Sequence, residues 1–317
     1  MNNFMQRKSL TVPKLSFWKV LRRDFIMNKY KYLLMIPVLI ILALFAYKPM
    51  YGLVIAFQNY RPRKGIAGSD WVGLQNFINF FLDPYFPRLI RNTLSISILT
   101  IIFGFPTPII FALLLNELRS TKFKRTVQTI TYMPYFISLV VVCSLIKIYC
   151  QSNGLFSQIS VALGGQSANY LSQPNKFYLI YVVSDLWQTI GWNSIIYLAA
   201  LSSIDQEQYE AARIDGANRF QQIRYVTLPG LSTTITVLFI LRMGSVLNVG
   251  FEKILLLYSE PTYSVADVIS TYVYRRGIIK ADYSYATAVG LFNSIVNVFF
   301  LVITNALSKR YTQSSLF

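Results

Sequence analysis

EQYEAARIDGANRFQQIRYVTLPG, residues 207–230, is a compact polar segment set between two strongly apolar stretches in the second half of the chain. Asp205 just upstream is a good helix N-cap, and Gln208 three residues on completes a capping-box pattern. A helix over Gln206–Asp215 follows, broken at Gly216, because glycine takes the left-handed conformation cheaply. A second short helix is expected over Arg219–Thr227, stopped by Pro229 and Gly230. Ala211 and Ala212 give the first helix a low profile that another surface can approach closely. Glu210, Arg213 and Asp215 offer charged pairing. The segment reads as two short helices around a glycine bend, lying along a membrane surface. The alternative is an amphipathic loop resting on lipid headgroups.

The membrane follows from composition. Of 317 residues, 54% are hydrophobic and 14% charged, against about a quarter charged in ordinary soluble domains. Several apolar runs approach the roughly 20 residues that cross a hydrocarbon core. Six spans are expected: Tyr32–Phe57, Asn92–Leu115, Val127–Tyr149, Phe177–Leu201, Thr233–Leu257 and Tyr285–Leu307. Lys48 and Pro49 mark a kink or the outer end of the first, and the prolines of GFPTPII a bend in the second.

The net charge of +17 raises nucleic acid as a partner, but its placement points to topology, and no nucleic-acid partner is expected. The tail before Tyr32 carries Arg7, Lys8, Lys14, Lys19, Arg22, Arg23, Lys29 and Lys31 against a single Asp24. With that tail inside, inner segments hold 17 Lys and Arg residues and outer loops with span edges hold nine. The expected result is a multi-pass plasma-membrane protein with both termini cytoplasmic, its tail attracted to membrane lipid. The expected organisation is a basic tail over 1–31, a membrane domain over 32–307 with its inner loop at 202–232, and a C-terminal tail over 308–317. No cleavable signal peptide is evident, since the first apolar run begins near Leu33 after a long basic tail.

Catalytic chemistry is missing from the pattern. The chain has no histidine, and its two cysteines, Cys143 and Cys150, define neither a disulfide framework nor a metal site. GGQSAN at 164–169 lacks the lysine and second glycine of a phosphate-binding loop. No nucleophile–base pair is placed by spacing. The chain is not expected to be an enzyme or to hold a cofactor or metal.

The longer pattern in the polar segment carries a resemblance. Glu210-Ala211-Ala212, three residues, Gly216, nine residues, then Val226-Thr227-Leu228-Pro229 resembles the EAA motif of ABC importer permeases, with Val226 for the usual isoleucine. RNTLSISILTIIFGFPTPIIFALLLNELRSTKFKRTVQTITYMPYFISLVVV and LNVGFEKILLLYSEPTYSVADVISTYVYRRG are similar to the LplB-like oligosaccharide and polysaccharide branch of sugar-type (MalF/LplB-like) permeases. That branch commonly has histidine after Met133-Pro134, where this chain has Tyr135. The resemblance implies a type I ABC importer transmembrane domain: all-α, six spans, with cytoplasmic coupling helices. It implies a second homologous permease subunit, a cytoplasmic ABC ATPase dimer that binds ATP and Mg, an extracellular solute-binding protein and a sugar cargo. Glu210, Ala211, Ala212, Arg213, Asp215, Gly216, Leu228 and Pro229 become the ATPase-coupling residues. The outer loop at 258–284 would reach the binding protein.

For the sugar path, Arg242, Asn248 and Glu252 of the fifth expected span and Asp185, Trp187, Trp192 and Asn193 of the fourth stand out, because ionisable groups inside a membrane usually face a cavity or a partner. Asn248 and Glu252 are expected four apart on one helical face. The plainer readings are that both tryptophans are interfacial belt residues, that Glu252 pairs with Lys253 or with the companion permease, and that Arg242 ties two helices. Two other functions stay open: a permease for a non-sugar cargo, and a membrane scaffold or enzyme whose loop binds lipid.

Overall fold

The computed structural model describes residues 17–312 and 315–316. Arg7, Lys8 and Lys14 of the basic tail lie outside the described residues. The chain divides into two compact units, Met1–Val54 and Ile55–Phe317. In the first, a helix over Phe17–Met27 is followed by the helix that starts at Lys29, and Asp24 pins the turn by accepting from the Asn28 amide and the Tyr32 hydroxyl.

Five described helices are long and apolar enough to cross a membrane: Lys29–Phe57, Phe86–Asn116, Leu139–Ala162, Arg219–Met243 and Tyr283–Arg310. A sixth, Pro174–Ser202, has 29 residues, or about 44 Å at 1.5 Å per residue. Its centre is more polar, carrying Ser184, Asp185, Gln188, Thr189, Asn193 and Ser194. The second, fourth and sixth expected spans each sit within one of these continuous helices.

Two expected spans are broken. The third divides into Thr121–Tyr132, a tight turn over Met133–Phe136, and Leu139–Cys150. Pro134 lacks the amide a continuing helix needs, and Ile137 is extended. The fifth ends as a helix at Met243 and resumes only as Phe251–Leu257. Gly250 sits at φ +64°, and a Cβ there would lie 2.5 Å from the Tyr181 hydroxyl, so only glycine fits the break.

Prolines elsewhere are absorbed. The wide-turn segments Ala43–Tyr47, Thr100–Gly104 and Ile223–Thr227 each end two residues before a proline: Pro49, Pro106 and Pro229. Widening one turn shifts the carbonyl that the proline ring would strike and removes the demand for its missing donor. Pro49 therefore does not end the first helix. The loop after it holds a two-residue antiparallel ladder, Gln58 opposite Trp71 and Asn59 opposite Asp70, that the all-α expectation did not include.

The core of the second unit forms three clusters. One centres on Phe177, Tyr181 and Ile254, another on Phe80, Leu89 and Tyr285, and a third on Ile109, Tyr197, Leu201 and Leu231. Cys143 and Cys150 are buried, free thiols in the first. Loop contacts sort the two ends as six alternating spans require. Arg219 meets Glu117 at one end, while Tyr60 meets Ser284, Asp83 meets Arg276 and Arg91 meets Ser264 at the other.

Candidate coupling bend and membrane cavity

The bend at Gly216 is assembled from local rules. Asp205 caps Gln206–Ile214 by accepting from the Glu207 amide at 3.1 Å. At the other end Gly216 stands at φ +78°. Its amide donates to the Arg213 carbonyl at 3.0 Å, and the Ala217 amide donates to Ala212 at 2.9 Å. That is a Schellman closure, which needs a left-handed residue at this place. The capping box expected at Asp205–Gln208 is found instead at Asn218–Gln221, where each side chain accepts from the other's amide. Two helices are thus closed and opened within three residues.

The second helix does not stop at Pro229. Arg219–Met243 runs on through the wide turn at Ile223–Thr227. Gly230 is a packing notch rather than a stop, since a Cβ there would lie 2.7 Å from the Ile204 side chain. The Tyr209 and Thr227 hydroxyls, 3.0 Å apart, tie the two helices together. Val226 joins the Leu231 cluster, where a β-branched side chain suffices. Glu210, Ala211, Arg213, Asp215, Gly216, Leu228 and Pro229 are exposed and Ala212 half-buried. Ile214 at 86% exposure, with Phe220 and Tyr225, adds an apolar surface beside them.

Half-way along the long helices lies a cavity of about 240 Å³, lined by Thr100, Asp185, Thr189, Asn193, Tyr197 and Arg242 among others. Of the residues singled out for the path it brings together Asp185, Asn193 and Arg242. It leaves out the rest. Trp192 stacks on Tyr135 with ring centroids 4.5 Å apart, and Trp187 lines a separate apolar groove. Both tryptophans sit near the middle of their helix, so the belt reading fails as well. Asn248 lies in the break and accepts from Asn293 at 3.1 Å, while Glu252 opens the following short helix. The two share no helical face.

Lys253 pairs with Asp185 at 3.2 Å rather than with Glu252, and lies over the Tyr181 ring. Arg242 donates to the Thr100 hydroxyl at 2.9 Å, tying two helices as the plainer reading held. The Asp185–Lys253 pair was not anticipated; the signal that could have found it is two opposite charges in apolar runs, which seek each other.

At the opposite end, Asp83 accepts from the hydroxyls of Tyr272 and Tyr285, from Arg276 and from the Tyr85 amide. Burial works against the Asp83 charge, but the Tyr272 hydroxyl and the other donors outweigh it and hold the carboxyl below its ordinary range. Arg275 grips the buried Asp267 with two bonds of 2.8 and 2.6 Å. Arg91 and Asn92 donate to the Ser264 carbonyl, the Ile269 amide donates to the Thr93 hydroxyl and Arg88 pairs with Asp267, so the loop over 258–284 is fastened to the Phe86–Asn116 helix. No spacing in the sequence announced that clamp.

Residues 104–313 match the family described as binding-protein-dependent transport system inner membrane component. The chain belongs to that family. It is a multi-pass membrane permease of the ABC importer type and not an enzyme. The permease is 44% identical over 310 residues to Protein LplB of Bacillus subtilis (strain 168), covering 97% of this chain and 96% of that one. It is 42% identical over 293 residues to the polygalacturonan/rhamnogalacturonan transport system permease protein YteP of the same organism, covering 92% and 91%. Among solved structures, a bacterial ABC transporter involved in the import of the acidic polysaccharide alginate has a similar chain, with TM-score 0.84 and 42% identity over 93% of this chain and 99% of that one. The alginate transporter in complex with alginate pentasaccharide-bound periplasmic protein gives 0.85 and 41% over 95% and 99%.

Proposed function

We propose that this permease imports an oligosaccharide or polysaccharide fragment as one of two homologous membrane subunits, driven by a cytoplasmic ATPase dimer and supplied by an extracellular binding protein. The observation that carries the reading is the exposed Schellman bend at Gly216, inside the EAA pattern and at the end of the molecule where Arg219 meets Glu117. The names of the relatives support the cargo class: polygalacturonan or rhamnogalacturonan for one and alginate for another.

In this reading Glu210, Ala211, Ala212, Arg213, Asp215, Gly216, Leu228 and Pro229 seat the ATPase, and the termini lie on the same cytoplasmic side. ATP and Mg stay with the ATPase. Closure of the ATPase dimer biases the permease between two states, which requires a surface that differs in contact between them. Asp185 and Asn193 face the path. The clamped loop at 258–284 meets the binding protein.

The test is purification of the permease with its companion and ATPase from detergent. The chain alone should hydrolyse no ATP, and the assembled complex should be stimulated by loaded binding protein. Glu210→Ala should weaken ATPase retention while the chain still inserts. Retention of lipid but of no ATPase by the loop would favour the lipid-binding alternative.

A further inference from the structure

The membrane cavity holds a charge that its own walls do not balance. Arg242 reaches it from near the end of the Arg219–Met243 helix, and a cation among apolar spans is costly to insert. Such a group stays only if it faces water or a counter-charge. The one carboxylate on the cavity wall, Asp185, is already engaged by Lys253, whose side chain is 4% exposed. Arg242 has only a neutral partner in the cavity, the Thr100 hydroxyl, and no carboxylate within 4 Å among the described residues. A guanidinium carries five N–H donors in a planar fork, so most of its capacity stays free. With Lys253, behind the cavity wall, neutralising Asp185, Arg242 is left as one unbalanced positive charge on the cavity.

Around that charge stand groups suited to sugar hydroxyls: the Asn193 amide and the hydroxyls of Thr189 and Tyr197. A volume of about 240 Å³ admits a sugar unit rather than a whole chain. We propose that Arg242 is the charge-selecting residue of this cavity and that the cargo passing it carries carboxylates, as uronate sugars do. The inference rests on the sugar-import reading and narrows it. A neutral glycan would leave the guanidinium without an ionic partner at every step. A uronate supplies a two-oxygen acceptor that matches its fork.

The test uses the assembled complex of both permeases and the ATPase in nanodiscs, without binding protein. Equilibrium dialysis compares trigalacturonate with its carboxyl-reduced trisaccharide. The acidic sugar should bind roughly tenfold or more tightly, the scale of one charged hydrogen-bond contact, and the preference should shrink as salt is raised. Arg242→Gln should abolish the preference and Arg242→Lys should keep part of it. Equal affinities in the unaltered complex, binding of neither sugar, or an undiminished preference in Arg242→Gln would each overturn the proposal. So would loss of the companion permease from the purified Arg242→Gln complex with retention in Arg242→Lys, which would make Arg242 an intersubunit ion pair. ATPase copurification read on the same samples separates the two levels. A complex that keeps its ATPase but shows no charge preference defeats this inference alone, whereas a missing ATPase defeats the import reading beneath it.

Discussion

Replacing Gly216 isolates backbone conformation from packing, because a Cβ placed there meets nothing within 4 Å. The whole effect must come from φ +78°. Holding a non-glycine residue in the left-handed region costs about 1–3 kcal/mol, so Gly216→Ala belongs at the low end and Gly216→Val at the high end. At 1.4 kcal/mol per tenfold, the closed bend becomes less populated by about fivefold for alanine and about a hundredfold for valine. Asparagine visits the left-handed region readily, so Gly216→Asn should behave nearly as glycine does. The assay is the amount of ATPase retained by the permease pair in detergent, followed by ATPase stimulation with loaded binding protein. The expected order is Gly, then Asn, then Ala, then Val, at constant thermal stability of the membrane core. If valine retains as much ATPase as glycine, or asparagine fails as badly as valine, the bend is not what couples the subunits.

Three further outcomes follow from the geometry. Gly191→Leu should lower the detergent unfolding temperature and yield, since its Cβ would stand 2.2 Å from the Thr131 carbonyl and neither helix backbone can withdraw cheaply; overpacking of this kind costs about 1–3 kcal/mol. Asp185→Asn should destabilise the fold by about 3–5 kcal/mol in thermal-shift measurements by stranding Lys253, and Asp185→Asn with Lys253→Met should recover most of the loss. The Asp83 carboxyl is held below its unfolded value, so its contribution is complete above that value and disappears as pH falls through the lowered one. Proteolytic protection of the 258–284 loop should thus be flat from pH 8 to about 5 and fall only below about pH 4. Asp83→Asn should flatten that acid step.

How far the sequence reached differs by element. Helices whose apolar content outweighs local breakers were legible, as with Phe86–Asn116 and Tyr283–Thr312, because hydropathy over twenty residues averages out a proline. Composition could not say that Pro229 is tolerated while Pro134 is not. The difference lies in whether the preceding turn can widen, which depends on tertiary neighbours such as Ile204 and Tyr209. The Gly216 bend was legible because glycine placement and cap residues are local rules, although the capping box was assigned one helix too early. The cavity was half legible. Asp185 and Asn193 declared themselves as polar groups in an apolar helix, and Arg242 stood out as well. Asn248 and Glu252 were joined on paper by a helix that the left-handed Gly250 interrupts.

The unbroken course of Arg219–Met243 has a mechanical meaning. The same continuous helix begins three residues beyond the Gly216 bend and ends just past Arg242, about 35 Å away at 1.5 Å per residue. A tilt of about 10° at one end would therefore carry the other by roughly 6 Å, more than a full helical turn of rise. No relay of intermediate side chains is needed between the surface that a motor would push and the guanidinium in the interior; they are two ends of one lever.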